Sequence, residues 1–143
     1  MKTKPDHHDA ELILKIYDLR REPVMRESRD AINAKFWPKN EAEALAILQP
    51  DHELNRAYRQ ASTYWEMVYG LAKNEVVHTE LLLESNGEGL FLFARLEPYL
   101  GKLREQTSPR ALRNAEWIAG SCDLAKAIMT TFRGRIQKKL GGK

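Results

Sequence analysis

Between Leu54 and Ala72 the apolar residues Leu54, Tyr58, Ala61, Trp65, Val68 and Ala72 recur at intervals of three and four. That spacing puts them on one face of a helix, because a helix turns once in about 3.6 residues while a strand alternates every two. The same rhythm returns along most of the chain. Only "GLFLFA" is ambiguous, and the helical phase of the residues after it decides against a strand. The pattern therefore specifies an all-α protein. Its expected form is a single-domain bundle of long amphipathic helices with one or two short connecting helices.

Prolines and caps divide the pattern into segments. Residues 9–21 form a first helix with a stripe of Leu12, Ile13, Ile16 and Leu19, and Asp9 stands where an N-cap belongs. Pro23 suits a first helical turn and opens a second helix that runs to Phe36, stopped by Trp37-Pro38. Asn40 and Glu43 form a capping box for a short helix through Leu48. The long stripe then extends from Asp51 to about Asn74, widened by Tyr69 and Leu71, and Val76 and Val77 cover the bend after it. Thr79 to Glu84 is a short helix ended by "SNGEG". Leu90 to Gln106 follows, kinked or split at Pro98. After the Ser108-Pro109 start, one last helix reaches Leu140, its stripe passing through Trp117, Ser121, Leu124, Ile128, Phe132 and Ile136. The 143 residues suffice for one sizeable core, so one domain is expected over 1–143, with short flexible tails at about 1–8 and 140–143.

Charge is unevenly spread. Residues 1–40 carry nine basic and seven acidic groups, residues 41–88 three and nine, and residues 89–143 eleven and four. The acidic middle could pair with the basic end of the same chain or of a second copy. Phe91, Phe93, Tyr99, Met129 and Phe132 exceed what one helical stripe hides, which adds weight to a homo-oligomer, most simply a dimer. A further protein partner fits the same surplus. No apolar run approaches the roughly 18 residues of a membrane span, and the basic start turns acidic before any apolar signal region. No membrane association and a cytoplasmic location are the expectations, the latter consistent with a lone cysteine, Cys122.

Few residue patterns carry chemistry. Glu75-Val-Val-His78 has the spacing used by carboxylate-bridged dimetal bundles, but those need the unit twice, and it occurs once beside a bend. His7-His8-Asp9 would need His52 or His78 to complete a metal site, and no His-x-x-x-His exists. Cys122, within the expected last helix, reads as a small buried hydrophobe. "SNGEGL" lacks the strand and lysine of a phosphate loop, and Ser62, Ser85 and Ser121 lack the turn of a nucleophile. No metal, no cofactor and no catalytic residue are assigned.

Two clusters remain as candidates. Tyr64, Trp65, Glu66 and Tyr69 place an acid beside an aromatic belt, a ligand site if a cavity reaches Glu66. Glu66 could equally pair with Lys73 or Arg59, or make a buried structural hydrogen bond. The C-terminal "FRGRIQKKLGGK" gathers Arg133, Arg135, Lys138, Lys139 and Lys143, a patch suited to a phosphate backbone. It lacks a recognition motif or exposed aromatic platforms, so nucleic-acid binding is the weakest reading.

The segment from Asn55 to Leu100, with Tyr64-Trp65-Glu66 and Asn86-Gly87-Glu88 as its recognisable spots, resembles small bacterial all-helical proteins of uncharacterised function. The opening "ELILKIYDLRREPVMRESRDAI" has the same character. The resemblance implies a helical cytoplasmic protein and transfers no activity, ligand or substrate. The favoured function is a non-enzymatic protein-interaction or regulatory module. The alternatives are a small-ligand-binding protein or enzyme using the cluster around Trp65 and Glu66, and a nucleic-acid accessory protein using the basic C-terminal helix.

Overall fold

Helix α4 (Asn55–Lys73) is the axis on which the other elements are arranged. In the computed structural model, which describes residues 2–141, it follows α1 (His7–Arg21), α2 (Pro23–Lys35) and the short α3 (Glu41–Ala46). It is followed by α5 (Thr79–Ser85), α6 (Glu88–Leu96), α7 (Leu100–Gln106), α8 (Arg113–Ala119) and α9 (Asp123–Gly141). A 3-10 turn over Glu97–Tyr99, carrying Pro98, separates α6 from α7. The fold is all-helical and single-domain, with no strand among the described residues.

The stripe on α4 is buried throughout, from Leu54 at its entry to Ala72. It packs chiefly against α2 on one side and α8 on the other, while α6 lies against α9. Burying a large aliphatic or aromatic side chain contributes about 1.5–3 kcal/mol, so this continuous stripe supplies much of the driving force. Gly89 is required where α6 meets α4: a Cβ there would lie 2.6 Å from the Trp65 ring and from the Tyr69 hydroxyl.

Several local expectations are corrected. The N-cap of α1 is Asp6, and Asp9 is the third helical residue of a capping box, with no exposed surface. His7 and His8 therefore lie in the helix rather than in a tail, and Leu19 is exposed, off the core stripe. Residues 51–54 form turns before α4 begins. The expected last helix is two helices. Gly120 ends α8, Ser121 returns its hydroxyl to the Ile118 carbonyl at 2.7 Å, and Cys122 sits in the break. The bend lets α9 turn away from α8 and lie along α6, burying Ala125 and Met129 between the predicted stripe residues. Residues 142–143, part of the expected C-terminal tail, and Lys143 of the basic cluster lie outside the described residues.

The surplus apolar residues are absorbed by the chain's own core. Phe93 and Met129 are buried, and Phe91, Tyr99 and Phe132 are half-buried, with Phe91 and Phe132 4.7 Å apart. Nor does the acidic middle form an ion pair with the basic end among the described residues. The ion pairs among the described residues include Arg29–Glu88, Arg104–Glu116 and Arg133–Glu97, and none joins residues 41–88 to 89–143.

Candidate functional site

The four residues of the aromatic–acid cluster do not share one site. Tyr64, Trp65 and Tyr69 face the core, where Trp65 stacks on Tyr69 at 5.6 Å and meets Tyr64 edge-on at 4.9 Å. The two tyrosine hydroxyls are engaged in structure: Tyr64 donates to the Ile16 carbonyl at 2.9 Å and Tyr69 to the Asn86 carbonyl at 2.8 Å. Burial pushes the Tyr64 phenol up to about 12 and Tyr69 well above its ordinary value, so both stay protonated as donors.

Glu66 points out of this core toward α8. Its carboxylate accepts the Ala115 N–H at 2.8 Å and the Asn114 N–H at 3.1 Å, and the Asn114 side chain donates back to the Glu66 carbonyl at 2.9 Å. The first N–H groups of a helix have no partner within it, and Leu112, the residue before α8, provides no side-chain cap. An acid on a neighbouring helix fills that role, aided by the positive end of the helix. Glu66 thus takes the structural hydrogen bond weighed above, and pairs with neither Lys73 nor Arg59. Glu66→Ala should lower stability by about 1–2 kcal/mol, with Glu66→Gln retaining part of it. Equilibrium urea denaturation measures this, and equal stability of Glu66→Ala and wild type would remove the capping role.

Glu66 also borders two open depressions. One, about 570 Å³, is lined by Glu66, Met67, Lys73, Ser108, Arg110 and Arg113, together with Ala111 and Asn114. The other, about 420 Å³, is mostly apolar and includes Leu48, Tyr58, Leu103 and Leu112, with Glu66 and Ala111 common to both. The segment leading into α8 contributes to both, and within it Leu112 is held at φ 58°. A left-handed backbone is costly for a branched side chain and persists here because Leu112 is buried. Arg110 and Arg113 were not singled out by sequence reasoning, and Lys73 entered only as an alternative partner for Glu66. Their convergence depends on α4 packing against a loop some 40 residues later, and the only local sign is two arginines three apart after Ser108-Pro109.

The basic C-terminal residues are partly committed. Arg133 is held by the Glu97 carboxylate through bonds of 3.0 and 2.7 Å. Arg135 lies over Phe132 at 5.8 Å and Lys139 over Trp37 at 5.4 Å, while Lys138 is exposed. His78 caps α5, accepting the Leu81 N–H at 3.1 Å, and His52 accepts the Leu54 N–H at 3.0 Å. Glu75, at φ 62°, is outside helical geometry, so the Glu-x-x-His spacing loses its meaning as one helical face. Among the described residues no group of three or more His, Cys, Asp or Glu is placed to hold a metal ion. None of their helices is long and apolar enough to cross a membrane.

Another residue the sequence did not mark is Arg95, on α6 and 2% exposed. Its guanidinium donates to the carbonyls of Ile32, Phe36 and Phe91 and to the Asn33 side chain. These contacts bind α6 to the end of α2.

The sequence model of a family described as a domain of unknown function, DUF4760, matches residues 5–122. No curated protein and no solved structure matches the chain.

Proposed function

We propose that this chain, which belongs to the DUF4760 family of uncharacterised bacterial domains, is a non-enzymatic protein-interaction module that pairs with a second copy through the outer face of α1. The supporting observation is where exposed apolar surface lies. Of six large hydrophobic residues exposed among those described, Leu14, Tyr17, Leu19 and Val24 fall within eleven consecutive positions. Leu14 is 66% and Tyr17 44% exposed, and helical spacing sets both on one face with Ala10 and Arg21. Clustered exposed apolar residues of this kind mark interaction surfaces more often than isolated ones do.

The flanking charges suit a copy of the same helix. In an antiparallel pair about a two-fold axis level with Ile16, Leu14 of each copy lies against Tyr17 of the other. Arg21, at the end of that face, then comes within reach of Glu11 of the other copy, and on the same side Lys15 meets Asp18. None of these four charged residues has an ion-pair partner within the described part of the chain.

Sedimentation equilibrium at micromolar concentration should therefore give about twice the 16.5 kDa of the chain. Leu14→Glu should reduce it to one chain mass. Glu11→Arg should weaken association, and the double exchange Glu11→Arg with Arg21→Glu should restore it. A monomer at tens of micromolar, or a dimer indifferent to Leu14→Glu, would end this reading.

A further inference from the structure

We infer that the paired depressions beside Glu66 bind a single-chain amphiphile with an anionic head, a medium-chain fatty carboxylate held as a monomer. The head lies in the basic depression and the tail in the apolar one. This site uses none of the α1 residues, so it stands or falls separately from self-association.

Three observations carry it. First, Lys73, Arg110 and Arg113 line one depression opposite a single carboxylate, Glu66, whose two oxygens are already occupied by N–H groups of α8. Second, the side chains of Lys73 and Arg110 have no acidic or hydrogen-bonding partner among the described residues, and both are exposed, so their charge is available to an anion. Arg113 is oriented by donation to the Pro109 carbonyl at 2.8 Å. Third, the neighbouring depression is mostly apolar, with the buried Tyr58, Leu103 and Leu112 at its floor and the exposed Thr63 at its rim, and its roughly 420 Å³ lies within the size range of small-molecule sites.

The combination restricts the occupant. An inorganic anion would satisfy the three cations and leave the apolar surface bare. A neutral hydrocarbon would fill that surface and leave the cations unmatched. A cationic head would be repelled by all three. A carboxylate on an alkyl chain meets both halves, with the join at Glu66 and Ala111, the residues the two depressions share.

Titration calorimetry with decanoate below its micelle concentration tests this on the full chain. One site per chain is expected, with a Kd on the order of 10–100 μM. Hexanoate, four methylenes shorter, should bind at least about a hundredfold more weakly. Decyltrimethylammonium, which shares the tail but reverses the head, should show no saturable binding. Lys73→Glu and Arg110→Glu change exposed, unpartnered side chains and should keep the circular dichroism spectrum while weakening decanoate about tenfold each. Thr63→Trp, at the exposed rim of the apolar depression, should block the tail with the head residues untouched. Absence of heat up to about 1 mM decanoate would overturn the proposal. So would equal binding of the cationic amphiphile, acetate binding as tightly as decanoate, or charge reversals without effect.

Discussion

Replacing Arg95 with leucine should lower the stability of this protein by about 2–4 kcal/mol, a drop of roughly 10 °C in Tm for a domain of this size. The guanidinium lies within 5.9 Å of the Phe36 ring, 5.0 Å of Trp37 and 4.7 Å of Phe91, and no carboxylate pairs with it. Burial pushes its pKa down to about 10, so it remains charged at neutral pH. What holds it is a set of carbonyls near the end of α2 and the Asn33 amide oxygen. Leucine fits the apolar surroundings and removes a charge that was costly to bury, which offsets part of the loss. It also strips the Phe36 carbonyl and the Asn33 oxygen of the donors they have here. The Ile32 carbonyl still accepts the Phe36 N–H at 2.9 Å. Two stranded acceptors and a lost stacking contact outweigh the relief. Arg95→Lys should fall between, because an ammonium has no planar fork to bridge these acceptors. Thermal unfolding with Tm within about 2 °C of wild type for Arg95→Leu would show that the arginine is dispensable.

Asp9→Ala should cost a comparable 2–4 kcal/mol and loosen α1 from α5. The carboxylate accepts the Asp6 N–H at 2.7 Å, the His78 N–H at 2.8 Å and the Lys2 ammonium at 3.1 Å. Two helix starts that are 69 residues apart in sequence are thereby joined through one side chain. Burial pushes its pKa up, but the hydrogen bonds from Asp6, Lys2 and His78 outweigh burial and bring it to about 2, below the ordinary 3.8. A carboxyl that binds its proton less readily folded than unfolded contributes stability that is fully present above the unfolded pKa. That contribution is lost as pH falls through the folded value. The wild type should therefore lose stability between about pH 4 and pH 2 more steeply than Asp9→Asn, which has no such group to protonate. Hydrogen exchange should show the loss first in α1. Parallel pH profiles for the two proteins would mean that Asp9 is not the group responsible.

What the sequence determined alone was whatever depends on neighbours three and four residues apart. The stripe from Leu54 to Ala72, Pro23 in the first turn of α2, the Asn40 cap of α3 and the interruption at Pro98 are all properties of short segments. Each appears in the structure close to where the spacing put it. Tertiary structure decided the positions at which two segments compete for one residue. Asp9 is as good an N-cap as Asp6 by local criteria; in the fold Asp6 takes the cap, and Asp9, within the first turn, also accepts the His78 N–H that only the folded chain brings near. Glu66 stands in a segment full of aromatics, but its direction was set by α8, whose first turn had no cap of its own. Arg95 sits in an apolar run where a charge looks out of place, and the carbonyls that accept it come from residues some 60 positions earlier. The convergence of Lys73 with Arg110 and Arg113 is of the same kind. A helix reports its own face through periodicity, but which unpaired donor or acceptor on another helix meets that face depends on packing over distances that local spacing does not encode.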